Sequence, residues 1–219
     1  MSGLLIITDG RKECLERTLL GLTKNLVGGI DHFLLVNDSG DEEYRHYLDN
    51  ALPEFEMIHH VTRRGFAGAI QSGWKAMLER RVEWCLHVED DFLLERPVNL
   101  ENMVDVLIFH PHLVQMALRR QPVNEIEMAA GGVVEQWPDE YTENEWDGHH
   151  WLEHRLFFTT NVSVYSAEIM RLGWPSGAGS EAEFSRRVFK DPNRCSAFWG
   201  KRSDSPIINH IGVRQGEGY

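Results

Sequence analysis

No apolar stretch in the 219-residue chain approaches the roughly 20 residues that a membrane span needs. Met1-Ser2-Gly3 leads straight into a short strand-like run rather than a signal-peptide pattern, so a soluble, cytoplasmic protein is expected. Cysteine is scarce: Cys14, Cys85 and Cys195 lie far apart with no CxxC spacing, which fits reduced thiols, Cys85 inside a core strand. Several catalytic signatures are missing. There is no GxGxxG after the first strand, no GxxxxGK[ST], no GxSxG and no HExxH, which weakens dinucleotide, P-loop, serine-hydrolase and zinc-protease readings. Among His149, His150 and His154 the last two sit four apart as on a helix face, but a catalytic zinc site wants a third ligand and a local motif such as HExxH, which is missing. The formal net charge of −12 argues against a surface built to grip phosphate backbones non-specifically. Arg63-Arg64, Arg119-Arg120 and Arg186-Arg187 are local basic pairs, each read first as a solvated helix end or loop. No repeat, low-complexity tract or linker divides the chain, so residues 1–219 read as one domain.

What the chain does have is an acidic triplet, Glu89-Asp90-Asp91, directly after the apolar run Trp84-Cys85-Leu86-His87-Val88. Adjacent carboxylates at the exit of a buried strand raise one another's pKa unless a cation shares the site. On an extended chain Glu89 and Asp91 would face the same side, and oxygen ligands of this kind suit Mg²⁺ or Mn²⁺. Leu4 to Ile7, Phe33 to Val36, Glu56 to Val61 and Trp84 to Val88 read as strands, mostly continuous rather than alternating in hydrophobicity. Between them Leu15, Leu19, Leu22 and Leu26, then Phe66, Ala69, Ile70, Trp74 and Met77, recur at helical spacing. This alternation predicts an α/β fold with a mostly parallel sheet flanked by helices, with ligands beyond the carboxyl ends of the strands. Polar residues collect at those ends: Thr8 to Arg11, Asn37 to Gly40, Arg63 to Gly65, and the triplet itself. A further helix is expected over Leu100 to Ile108, a long loop over Glu135 to His154, and a strand over Leu156 to Tyr165.

With these motifs in phase, the chain resembles the GT-A-type glycosyltransferases, particularly the small soluble non-processive members of glycosyltransferase family 2. The resemblance implies a nucleotide-sugar-binding half over 1–95 and an acceptor-side half over 96–219, closed by a C-terminal metal- and phosphate-binding segment. It implies that Thr8, Asp9, Gly10, Arg11 and Asp38 hold the nucleotide, and that Arg64, Gly65 and Gly68 open a helix over it. Glu89-Asp90-Asp91 corresponds to the family's DxD-like motif: Asp91 as ligand of Mn²⁺ or Mg²⁺, Glu89 as a second, Asp90 toward the ribose. His210 would return to the metal and Arg214 would close over the diphosphate. The segment Gly179 to Arg187 resembles the acidic helix start that carries the catalytic base, with Glu181 in the base position and Glu183 its rival. Ser180 and Glu183 also read as a capping box. Trp137, Trp146 and Trp151 are the expected acceptor contacts.

The resemblance therefore implies sugar transfer from a nucleotide-sugar, by expectation a UDP-sugar, to an acceptor hydroxyl with inversion. The acceptor is open among a glycan, a small molecule, a protein and a modified DNA base. A sugar-phosphate nucleotidyltransferase and a non-catalytic nucleotide- or sugar-binding module stay as alternatives.

Overall fold

The computed structural model describes residues 1–212. Its first half is a run of parallel strands, β1 (Ser2–Thr8), β3 (His32–Asn37), β4 (Glu56–His59) and β5 (Trp84–Glu89). Helices α1 (Lys12–Asn25), α2 (Glu42–Ala51) and α3 (Gly65–Glu79) connect them. β1, β3 and β5 carry continuous apolar runs because both faces are covered, whereas β4, at the sheet edge, is only partly buried. Leu4, Ile6, Leu35, Leu86 and Val88 point into one core with Leu15, Leu22 and Leu48. Leu5, Ile7, Leu34, Val36 and Cys85 point into a second with Ala69, Ile70, Trp74 and Met77 of α3. Two-residue alternation thus feeds two cores from one strand.

The sheet has nine strands in the order β4-β3-β1-β5-β11-β8-β12-β10-β9. The added strands are β8 (Leu113–Ala117), β9 (Thr142–Trp146), β10 (His149–His154), β11 (Ser163–Ser166) and β12 (Cys195–Trp199). β11 runs antiparallel to both neighbours, β12 parallel to β8, and β10 antiparallel to β12 and β9, so the sheet is mixed rather than mostly parallel. The chain leaves β1 toward β3 and later returns on the other side as β5, which opens a crevice where their carboxyl ends diverge.

Shorter elements frame that crevice. β6 (Phe92–Leu94) pairs with β13 (Ile208–His210), and β2 (Leu26–Val27) with β7 (Val98–Asn99). Helix α4 (Leu100–Phe109), capped by the Asn99 side chain, lies where the sequence places a helix. α5 (Glu125–Ala130) and α6 (Val133–Gln136) form an arm, and α7 (Ala167–Arg171) and α8 (Ser180–Val188) pack on the α3 face. No helix among the described residues is long and apolar enough to cross a membrane.

Two expectations are corrected here. Residues 135–154 are not a long loop: they carry α6, a short 3₁₀ turn and the β9–β10 hairpin. Its turn is Asp147-Gly148, both at positive φ (50° and 77°), the two-residue arrangement that matches strand twist. The strand expected over Leu156 to Tyr165 begins only at Ser163, because Thr159 turns the chain and its hydroxyl accepts from Asn161 N–H at 3.2 Å.

Candidate active site

Arg11 organises the crevice. Its guanidinium donates to Asp9 Oδ1 (2.8 Å), to Asp90 Oδ1 (2.5 Å) and to Asp91 Oδ2. Arg63 donates to Asp9 Oδ2 at 2.7 Å, so two arginines and three carboxylates interlock at the ends of β1 and β5. β5 stops at Glu89, and the alternation expected through the triplet stops with it. Asp90 and Asp91 turn toward the same guanidinium, while Glu89 faces a separate cavity.

Each carboxylate has a distinct environment. Asp90 is fully buried; Thr8 donates its hydroxyl to Oδ2 at 2.6 Å, and Arg11 holds Oδ1. Burial pushes its pKa up to about 7, against the pull of Arg11 and Thr8. Asp90 thereby seats Thr8 and Arg11, both of its oxygens being partnered. For Asp91, burial pushes upward, but His210 and Arg11 together outweigh it and hold the carboxyl below its ordinary value. His210 Nε2 lies 3.0 Å from Asp91 Oδ2. Asp91 Oδ1 is buried with no hydrogen-bond partner. Burial drives Glu89 well above the ordinary carboxylate range, and the charges of Asp91 and Glu181 add to this.

The carboxyl-terminal strap places His210. Gln121 reads both backbone groups of that residue: its amide donates to the His210 carbonyl (2.9 Å) and its carbonyl accepts from His210 N–H (2.8 Å). Ile211 N–H donates to the Asp91 carbonyl at 2.8 Å. Gly212 then passes so close that a Cβ there would sit 2.1 Å from Asp91 Oδ2 and 2.8 Å from Arg11 Nη1. Gln121 was invisible in the sequence, where nothing marks a glutamine that acts as a strand partner. Arg214 lies outside the described residues.

On the nucleotide side, Asp38 is buried and its Oδ1 receives His60 Nδ1 (2.6 Å) and Arg64 N–H (2.8 Å), which ties β3 to the start of α3. Helix α3 begins at Gly65, with Arg64 as N-cap residue and no side-chain cap. Gly68 lies against Arg64, whose Cβ would be 2.5 Å from an added methyl. Gly10 turns at φ 106° beside Ser39. The uncapped first turn of α3 and the Thr8–Arg11 loop thus face one another across the ends of β1 and β3.

Glu181 sits in the first turn of α8, and the aromatic layer beneath explains its position. Trp174 donates its indole N–H to Ser180 Oγ (3.0 Å), and Phe158 N–H donates to Ser185 Oγ (2.8 Å). Glu181 Oε1 accepts from Thr160 N–H (3.0 Å) and Thr160 Oγ1 (3.3 Å). Burial raises its pKa, opposed by Thr160 and Arg120. The capping box does not form: Gly179, at φ 73°, is the N-cap residue, and Ser180 turns inward to Trp174. Glu183 is exposed and pairs with Arg187 (3.4 Å) along the outer helix face, away from the cavity.

Glu181 and Glu89 line a cavity of about 700 Å³ that also contains Thr160, Asn161, His210 and Trp137. Trp146 and Trp151 are not among its lining. Trp151 is buried against His110 and donates to Glu153, and the half-buried Trp146 packs on Phe109. The basic pairs serve local structure. Arg119 donates to the carbonyls of Lys201, Arg202 and Asp204, Arg120 pairs with Glu127, and Arg187 donates to those of Leu172 and Gly173. His149 and His150 lie on β10, and His154 is buried among Tyr141, Phe157 and Phe198, which gathers no zinc site.

No protein-family model matches the sequence, and no curated protein does. Solved structures do. S. aureus TarS 1–349 in complex with UDP-GlcNAc superposes with a TM-score of 0.61 at 13% identity, over 99% of this chain and 59% of that one. GalNAc-T7 with UDP, GalNAc and Mn²⁺ gives 0.67 at 11% identity, over 97% of this chain and 44% of that one. The chain therefore spans under two thirds of each of these neighbours. Strand order, the crevice at the ends of β1 and β5, and these superpositions agree: the chain has the fold of the GT-A glycosyltransferases.

Proposed function

We propose that the chain transfers a sugar from a nucleoside-diphosphate sugar to an acceptor hydroxyl, with inversion and Glu181 as general base. UDP is the proposed carrier, since UDP or UDP-GlcNAc accompanies the TarS and GalNAc-T7 structures. The observation that carries the reading is that Glu181 and Glu89 share one cavity at the end of β5, with His210, the neighbour of Asp91, also on its lining. The nucleotide would lie along Thr8 to Arg11 and Asp38. Its phosphates would meet the uncapped first turn of α3, where backbone N–H groups and the helix dipole favour anions.

Asp91 and His210 fit a divalent cation. One buried oxygen of Asp91 has no partner, the imidazole stands 3.0 Å from the other, and the carboxylate oxygen suits Mn²⁺ or Mg²⁺. Among the described residues no three His, Cys, Asp or Glu side chains form a metal-sized group, so diphosphate and water would complete the shell. When bound, such an ion supplies compensation for charge building on the departing diphosphate. Glu181 removes the proton from the acceptor hydroxyl as its oxygen bonds to the anomeric carbon. The bond from that carbon to the phosphate oxygen breaks, and the nucleoside diphosphate leaves with the electron pair. Thr160 fixes the Glu181 carboxylate for that attack.

Thermal melting against UDP, GDP, dTDP and CDP, with and without Mn²⁺, tests the donor site. A ligand at 100 times its dissociation constant adds about 2.7 kcal/mol of stability. The expected result is a shift with UDP that needs Mn²⁺ and is lost in Asp91→Asn. No shift with any diphosphate would overturn the proposal.

A further inference from the structure

We infer that the acceptor is an uncharged molecule presenting an aromatic or aliphatic body beside its reacting hydroxyl, which rests on the glycosyltransferase reading above. The cavity that holds Glu181 has a wall shared by α6, the loop after β10 and strand β12. That wall is apolar: Val133, Phe157 and Phe198 line it. At its rim Ile126, Met128 and Trp137 are 66%, 62% and 45% exposed. Single exposed apolar side chains are ordinary, but three at the rim of one concave site, continuous with an apolar wall, mark a surface made to be covered. The cavity volume suits a small molecule that brings its own apolar face.

Charge decides the rest. Among the described lining residues Arg120 is the only arginine or lysine. Its guanidinium is held bidentately by Glu127, at 2.7 and 3.0 Å, with both side chains largely buried. Glu127 is further fixed by Val123 N–H at 3.0 Å, so the pair braces the arm and the Arg120 charge is already matched by Glu127. Glu89 and Glu181 share the same cavity. A phosphate or carboxylate on the acceptor would lie close to two carboxyl groups with no lysine or unpaired arginine among the described lining residues, whereas a bare neutral sugar would leave the apolar wall wet.

The test is calorimetric binding of three probes to the full chain with UDP and Mn²⁺ present: phenyl β-glucoside, methyl β-glucoside and glucose 6-phosphate. Phenyl glucoside is expected to bind about tenfold or more tighter than methyl glucoside, and glucose 6-phosphate weakest of the three. The double variant Ile126→Ser, Trp137→Ser is expected to bring the phenyl compound down to the methyl level, its folding checked by melting without ligand. Equal affinity for the two glucosides, tighter binding of the phosphate, or no binding of any probe at millimolar concentration would each overturn the inference. The donor reading fails separately, as loss of the UDP-dependent melting shift.

Discussion

His154 offers a quantitative test of how the acceptor half is built. Its ring lies between Tyr141, Phe157 and Phe198, and neither ring nitrogen has a hydrogen-bond partner. Burial lowers its pKa from 6.5 to about 3. A histidine neutral when folded and protonated when unfolded contributes stability above pH 6.5 that is lost as pH falls toward 3. Between pH 7 and pH 5 the unfolded state gains this proton and the folded state does not, a loss of about 2 kcal/mol. Asp90 works the other way. With its carboxyl raised to about 7, the folded state takes up a proton as pH falls from 7, which adds a similar stability. The wild-type profile alone therefore mixes opposing contributions, and the informative quantity is a difference of differences. Urea unfolding of wild type and His154→Phe at pH 7 and pH 5 isolates it. The variant's stability relative to wild type is expected to rise by about 2 kcal/mol on going to pH 5, about 4–8 °C in melting temperature for a domain of this size. An unchanged difference between the two pH values would show that His154 protonates freely in the folded state, and the packing argument would fail.

Glu181→Gln is expected to lower turnover by about 10²–10⁴-fold while leaving the UDP-dependent melting shift in place. Because burial raises the pKa of Glu181, the wild-type rate should fall with decreasing pH through a value above the usual 4.5, and stopped-time assays of kcat/KM across pH locate that limb. Gln121→Leu removes both bonds that hold the His210 backbone, so the Mn²⁺ concentration at half-maximal melting shift should rise about 10–100-fold with little change in the metal-free melting point. Gly212→Ala would push a methyl into Asp91 and Arg11, and overpacking of about 1–3 kcal/mol should appear as roughly tenfold or greater loss of UDP–Mn²⁺ affinity by calorimetry, with near-ultraviolet dichroism unchanged.

The parallel half was legible because its strands are covered on both faces and its helices carry apolar stripes: Leu4 to Ile7, Phe33 to Val36 and Trp84 to Val88 each lie within a strand of the structure. The second half was not. Thr142 to Trp146 is an edge strand with exposed polar side chains, Thr142-Glu143-Asn144-Glu145, and its hydrogen bonds come from β10 rather than from any hydrophobic pattern of its own. The Asp147-Gly148 pair was the available signal for that hairpin, and it carries more information than the surrounding charge and aromatics. Trp151 shows the converse difficulty: an aromatic in a polar stretch reads as a surface contact until the strand's alternate register turns it into the core.

At the site, the triplet was readable as a charge problem but not as the solution the fold reaches. Electrostatics alone says that three adjacent carboxylates need a cation; it does not say which. Arg11, eighty residues earlier, answers for Asp90 and Asp91, because the pairing of β1 with β5 brings the two strand ends together. That leaves Glu89 without a cation of its own, beside Glu181, in the cavity where proton transfer is proposed. It also leaves one oxygen of Asp91 unspent at the edge of the same crevice, next to an imidazole that a glutamine holds in place. The division matters chemically. A carboxylate with both oxygens partnered, as in Asp90, is structural, whereas an unspent oxygen and a protonation-prone carboxyl cost stability, and such costs concentrate where ligands bind. The residues that bear those costs are Asp91, Glu89 and Glu181, the three carboxyl groups to which the proposed transfer assigns metal binding and proton removal.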